Sequence, residues 1–306
     1  MSSLFVFPGQ GAQQVGMLHQ LPADTAAWVT EASDALGEDL LALDCAEALQ
    51  STRAVQLCLL VAGVACARLL IQRGPAPDYV AGLSIGAYAA AVIAGSLDFA
   101  DAVRLVSLRG ELMQRAYPQG YGMTAILGLD QTTVERLLAE AEGPVFLANI
   151  NADNQLVIAG SDAAMAAVAE QARALGAGAA KRLCMSVPSH CALLDEPARE
   201  LAAAFAKVEL RRPSIRYLSG SSARPIFDPE RLRDDLAFNM CRVIDWRGTL
   251  RTAYERGVRL HIELPPGAVL SGLARRVFEQ GTVIAFQGAR LDTLDALLRE
   301  EVSRSR

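Results

Sequence analysis

The sequence has only three histidines in 306 residues, no surplus of positive charge, no closely paired cysteines and no apolar run long enough to span a bilayer. Each shortage excludes something. A formal net charge of −5, with acidic and basic residues interspersed, leaves no electrostatic footprint for nucleic acid or an anionic membrane, so small molecules and proteins are the expected partners. The six cysteines, Cys45, Cys58, Cys66, Cys184, Cys191 and Cys241, include no Cys-x-x-Cys pair. Most stand among apolar residues as reduced core thiols do, which implies a cytoplasmic chain and no metal ligand set. The most apolar stretch, Ala54 to Ala67 between Arg53 and Arg68, falls short of the about 20 residues a membrane span requires. It reads as a buried core helix closed by Gly74-Pro75. No basic leader or cleavage site flanks Leu4-Phe5-Val6-Phe7, so no secretion signal is expected, and no internal repeat or low-complexity stretch is present.

What is there suits an α/β protein. With 52% hydrophobic residues the chain can bury a full core, and its length suits one large domain carrying a smaller inserted one. From the start to about Pro118 the pattern is a strand at Leu4 to Phe7, helices, a short strand at Tyr79 to Ala81, and a further helix opened by Ser84. From Tyr121 to Val187 the order is strand (Met123 to Leu127), helix (Gln131 to Glu142), strand (Val145 to Ile150), strand (Gln155 to Ala159), helix (Asp162 to Leu175), strand (Arg182 to Val187). That βαββαβ order is the ferredoxin-like split unit. Asp130 and Ser161 stand as N-caps; Val134, Leu137, Leu138 and Ala141 face inward from one helix, and Met165, Val168, Ala172 and Leu175 from the other. After Pro188 long helices return with an apolar strand at Leu260 to Leu264. The expected division is therefore a large domain of residues 1–118 and 188–306 and a small one of 119–187.

Chemistry concentrates at few positions. Gly82-Leu83-Ser84-Ile85-Gly86, between a strand and an Ala-rich helix, has the form of a nucleophile elbow, whose glycines permit the tight turn that holds a hydroxyl out; an ordinary structural turn is the competing reading. A serine needs a neighbouring base. Of the histidines, His19 reads as a surface side chain and His261, inside an apolar strand, as a satisfied structural one. His190 follows Val187-Pro188-Ser189 where the chain leaves the small domain, and is either the base or an inconsequential loop residue. Gly9-Gln10-Gly11 is either a simple strand-exit turn or a loop whose N–H groups, with that of Ile85, form an oxyanion hole. On the helix from about Ala100 to Ala116, Arg109 falls within the stripe of Ala102, Leu105, Val106, Leu112, Met113 and Ala116, whereas Arg104 and Arg115 point to solvent. A buried guanidinium requires an anion, either an internal Asp or Glu or a carboxylate on the substrate.

Phe7-Pro8-Gly9-Gln10-Gly11, the serine elbow, Leu108-Arg109-Gly110 and Ser186-Val187-Pro188-Ser189-His190-Cys191 together resemble the malonyl-CoA:acyl-carrier-protein transacylases, over nearly the whole chain. The resemblance implies an α/β-hydrolase-like large domain with a parallel sheet and nucleophile elbow, plus the inserted ferredoxin-like domain. It implies that Ser84 is acylated, that His190 is the base, that Arg109 binds the malonyl carboxylate and that Gln10 helps form the oxyanion hole. It further implies that the main-chain carbonyl of Asn239, ahead of Val243-Ile244-Asp245-Trp246, orients the histidine. The reaction implied is ping-pong transfer from malonyl-CoA to the prosthetic-group thiol of an acyl carrier protein, with no other cofactor.

Leu83 and Ala87 stand where the transacylases of fatty-acid synthesis usually have His and Glu, and Pro265-Pro266-Gly267 replaces a Gly-Pro-Gly. The elbow sequence, Tyr121-Gly122-Met123 and Asn149-Ile150-Asn151 look instead like the transacylase (epsilon) subunit of malonate decarboxylase, which would add that enzyme's other subunits as partners. The alternative is a transacylase of fatty-acid or polyketide synthesis. A serine thioesterase and a non-catalytic docking subunit are further rivals, the former poorly served by Asp130, Asp153 and Asp162, which fall in loops and caps.

Overall fold

Leu4, Phe5, Val6 and Phe7 are all fully buried, as in a strand covered on both faces, and they place β1 (Ser2–Phe7) at the centre of the larger sheet. The computed structural model describes residues 2–304; Met1, where the expected first segment begins, and residues 305–306, where the last one ends, lie outside the described residues. After β1 come α1 (Ala26–Leu36) and α2 (Thr52–Arg73). By length and composition α2 could cross a membrane, so the expectation that this segment is too short is corrected: the helix outruns its apolar core by about two turns. Its burial under α1, α3 (Gly86–Ile93) and α4 (Phe99–Ala116) is what marks it as a core helix. The short strand β2 (Tyr79–Gly82) lies beside β1 and leads into α3. On α4, capped by Asp98, Ala102, Leu105, Val106, Leu112 and Met113 are buried as their spacing predicts, Ala116 is half-buried and Arg109 is fully buried in the same stripe, while Arg104 and Arg115 are exposed.

The next segment runs β3 (Tyr121–Leu127), α5 (Gln131–Glu140), β4 (Val145–Ala152), β5 (Gln155–Ser161), α6 (Asp162–Ala174) and β6 (Ala179–Arg182). Asp130 and Ser161 cap the two helices by accepting the N–H groups of Thr133 and Ala164. Two expectations fail. Leu175 is exposed, because α6 ends one residue before it. The last strand was expected at Arg182 to Val187 but pairs with β3 from Ala179 to Arg182. The alternating Leu183, Met185 and Val187 that suggested a strand do other work: Leu183 and Met185 line a cavity and Val187 is in the core.

The chain then forms α7 (Asp195–Phe205), β7 (Arg216–Leu218), β8 (Pro225–Ile226), α8 (Pro229–Phe238), β9 (Ile244–Asp245), α9 (Trp246–Glu255), β10 (Val258–Glu263), α10 (Val269–Ala274), β11 (Thr282–Ala285) and α11 (Leu291–Arg304). Two sheets result. The larger has the order β11-β10-β1-β2-β7-β8, parallel except for β8. The smaller has the order β6-β3-β5-β4-β9, and its fifth strand comes from the later part of the chain: Asn149 and Ile150 of β4 pair in parallel with Ile244 and Asp245 of β9. The thiols divide more evenly than expected. Cys58, Cys66 and Cys191 are buried and Cys241 is half-buried, but Cys45 and Cys184 are exposed, and all six are free.

Candidate active site

The turn between β2 and α3 is shaped by its two glycines. A side chain at Gly82 would overlap the Gly86 backbone, and one at Gly86 would overlap the Phe7 carbonyl. Between them Ser84 is forced to φ 56°, a left-handed conformation that costs a non-glycine residue about 1–3 kcal/mol. Ile85 is the N-cap of α3, so its N–H has no helical acceptor. The Pro8–Gly11 loop lies against this turn, since a side chain at Gly9 would strike Leu83. Among the described residues neither the Gln10 nor the Ile85 N–H donates a hydrogen bond within the chain.

His190 is also left-handed, at φ 65°, and buried. Its N–H donates to Met240 O at 2.6 Å, and its Nδ1 lies 2.7 Å from Asn239 O. A carbonyl only accepts, so Nδ1 carries the proton and Nε2 keeps its lone pair. Burial, and next the charge of Arg109, push the His190 pKa down to about 4. The ring is therefore a neutral acceptor at physiological pH. Among the described residues no hydrogen bond joins it to Ser84.

Ser84 Oγ instead accepts from Arg109 Nη2 at 3.3 Å. The same Nη2 donates to Asn239 Oδ1 at 3.1 Å, and Nη1 donates to Gln56 Oε1 at 2.7 Å. Asn239 Nδ2 returns to the Ser84 carbonyl at 3.2 Å. The Tyr88 ring lies 5.8 Å from the guanidinium carbon, within cation–π range. Every acceptor on Arg109 is neutral, and its Nε has none. Of the two readings of its burial, an internal Asp or Glu is thus not met among the described residues. Burial draws its pKa below the ordinary arginine value.

Ser84, His190 and Gln56 open onto a cavity of about 240 Å³ between the two sheets, with Arg109 and Asn239 buried behind its wall. Gln10, Ser84, Ile85 and His190 line it from one side, and Met123, Ala125, Asn149, Asn151, Gln155 and Val157 from the smaller sheet. Gln56 is the member that sequence reasoning missed. Its signal was the single amide within the apolar run from Ala54 to Ala67. Asn149 and Asn151, quoted only as part of a likeness, stand two apart on β4, and each has a buried Oδ1 with no partner among the described residues.

The remaining candidates lie elsewhere. His19 is exposed and bonds Asp44. His261 is structural as expected but not satisfied: both ring nitrogens are buried with no partner among the described residues, edge-on to Phe278. Asp130 caps α5, Asp153 binds Arg247 and Arg251, and Asp162 binds Arg182, so none of these acids reaches His190.

The acyl transferase domain model matches residues 4–300. The malonyl CoA-acyl carrier protein transacylase of Escherichia coli K12 is 40% identical over 291 residues, covering 92% of this chain and 94% of its own. The crystal structure of FabD from Acinetobacter baumannii superposes with a TM-score of 0.91 at 39% identity, over 98% of this chain and 99% of the other. A malonyl-transacylase solved in complex with its type II PKS acyl-carrier protein gives a TM-score of 0.88 at 37% identity, over 93% and 94%. With nearly its whole length matched and both sheets reproduced, this chain belongs to the acyl transferase domain family.

Proposed function

We propose that the protein transfers a malonyl group from malonyl-CoA to the prosthetic-group thiol of an acyl carrier protein, through a malonyl ester on Ser84. The observation that carries the reading is Arg109: a fully buried cation that has no carboxylate partner among the described residues, its Nη2 3.3 Å from the Ser84 hydroxyl. An acyl group bearing a terminal carboxylate supplies the missing anion where the reaction takes place.

In this mechanism His190 Nε2 takes the Ser84 proton, held in place by the bond from its Nδ1 to Asn239 O. Ser84 Oγ attacks the thioester carbonyl, whose oxygen receives the free N–H groups of Gln10 and Ile85. The carbon–sulfur bond breaks, the imidazolium returns its proton to the departing thiol, and a carrier thiol later reverses the sequence. In this reading the thioester's arm lies along the smaller-sheet wall of the cavity, beside Asn149, Asn151 and Gln155.

The reading as a transacylase of fatty-acid or polyketide synthesis is favoured over a malonate decarboxylase subunit, because the Escherichia coli relative and the enzyme solved with its type II PKS acyl-carrier protein are named as malonyl transacylases. Leu83 and Ala87 are then departures within that group. We read residues 1–118 and 188–306 as an α/β-hydrolase-like domain and 119–187 as a ferredoxin-like insertion; the parallel larger sheet and the strand order β6-β3-β5-β4 support this. Six free thiols suit a reducing cytoplasm.

Intact-protein mass spectrometry after brief mixing with malonyl-CoA or acetyl-CoA tests the function. A malonyl adduct is expected that persists without an acceptor thiol, is absent in Ser84→Ala, and loses its preference over acetyl in Arg109→Ala. Rapid CoA release with no adduct would mean a thioesterase, and neither adduct nor release a binding subunit.

A further inference from the structure

We propose that Arg109 holds the Ser84 hydroxyl away from His190 in the empty site, and that the carboxylate of the incoming acyl group releases it, so that the substrate frees its own nucleophile. The proposal rests on the malonyl reading given above.

Ser84 Oγ has one hydrogen bond among the described residues, and it comes from Arg109 Nη2 rather than to the base. That contact occupies one of the hydroxyl's two lone pairs and turns the side chain toward the guanidinium. The 3.3 Å bond is the longest that Arg109 makes, and its acceptor is neutral. A carboxylate entering from the cavity, where Ser84 and Gln56 form the wall nearest Arg109, offers a charge-assisted acceptor that is roughly twice as strong. The hydroxyl is displaced and is free to rotate about its Cα–Cβ bond, donating its proton to His190 Nε2. Asn239 keeps the rest of the cluster in place, because its Oδ1 retains one Nη2 hydrogen while its Nδ2 and main-chain oxygen hold Ser84 O and His190 Nδ1.

The charge change works in the same direction. After burial, the charge of Arg109 is the next cause depressing the basicity of His190. An anion seated on the guanidinium offsets that charge and makes the imidazole a better base as the hydroxyl arrives. A neutral acyl donor does neither, and meets a serine still bound to arginine.

The test supplies the malonyl group in two pieces. With 4-nitrophenyl acetate as acyl donor, the burst of nitrophenolate is followed in the full chain at rising sodium formate, with sodium chloride holding the ionic strength. Acetylation at Ser84 is located by peptide mass spectrometry. Acetyl and formate together provide the carbonyl and carboxylate that malonyl carries in one chain. The expected result is a saturating rise in burst rate of about tenfold, the equivalent of one hydrogen bond exchanged for a productive one, and no rise in Arg109→Ala. The wild-type titration needs no variant, so a poorly folded Arg109→Ala leaves it decisive. No rise, or a fall, in a protein that still forms the malonyl-Ser84 ester from malonyl-CoA overturns the gate and leaves the proposed function standing. An equal rise in a folded Arg109→Ala also overturns it. Absence of the malonyl ester removes the function itself, and the gate with it.

Discussion

His190 is held by Asn239 through an atom that no side-chain substitution removes: the 2.7 Å bond from the imidazole ends on the Asn239 main-chain carbonyl. The side chain of Asn239 does separate work on Ser84 O and Arg109. Asn239→Ala should therefore leave the pH profile of acylation unchanged while lowering kcat/KM for malonyl-CoA about tenfold or more, for the loss of two buried hydrogen bonds. A shifted profile in stopped-flow acylation would mean that the side chain also sets the base.

Gln56 is the neutral acceptor for Arg109 Nη1. Gln56→Leu keeps the volume of the core but strips a buried guanidinium of its shortest bond. We expect a loss of stability of about 2 kcal/mol in urea unfolding, together with a raised KM for malonyl-CoA. Unchanged stability would show that solvent reaches Nη1 in solution.

Ser84 occupies a backbone conformation suited to glycine. Ser84→Gly should abolish the acyl adduct yet raise stability, by about 0.5–1 kcal/mol, as the strain is relieved. Equal or lower stability by chemical denaturation would show that the elbow is held without cost.

Acid should weaken the fold through its buried histidines. Burial first of all pushes the pKa of His190 down to about 4 and that of His261 to about 3, whereas in the unfolded chain both titrate near the ordinary value of about 6.5. The unfolded chain then binds more protons between those values, so stability falls as pH drops through that window, by roughly 3 kcal/mol or more for each ring. Asp235 and Glu263, raised by burial, act in the opposite sense: their contribution is full below the ordinary carboxylate range and is lost as pH rises through their folded values. His261→Leu removes two unpartnered nitrogens. It should stabilise the protein by about 1–2 kcal/mol at pH 7 and by more at pH 5, in urea titrations at the two pH values.

Ser84, Arg109 and His190 were legible because each breaks a local pattern: a serine between glycines, a cation in an apolar stripe, a rare histidine after Pro-Ser. Periodicity also located the helices of the smaller unit, whose caps are side chains that name themselves. Gln56 was passed over although it interrupts an apolar run, since α2 is buried on nearly every side and the sequence does not say which neighbour a buried amide bonds. β6 was missed for the converse reason. It is an edge strand with only Ala180 buried, while the apolar alternation that mimicked it, Leu183 and Met185, serves the cavity. The unmet need of His261 is a property of its neighbours in space, which the sequence does not order.

The pairing of β9 with β4 bears on how this architecture can be cut and recombined. Residues 119–187 look like a cassette in the linear sequence, but removing them leaves Ile244 and Asp245 without a sheet, and producing them alone uncovers the edge of β4 at Asn149 and Ile150. An uncovered edge of that kind invites pairing with a second copy. Chimeras that exchange the smaller unit therefore need to carry residues 244–245 from the same parent, with their register against β4 intact, or their products will assemble through that edge.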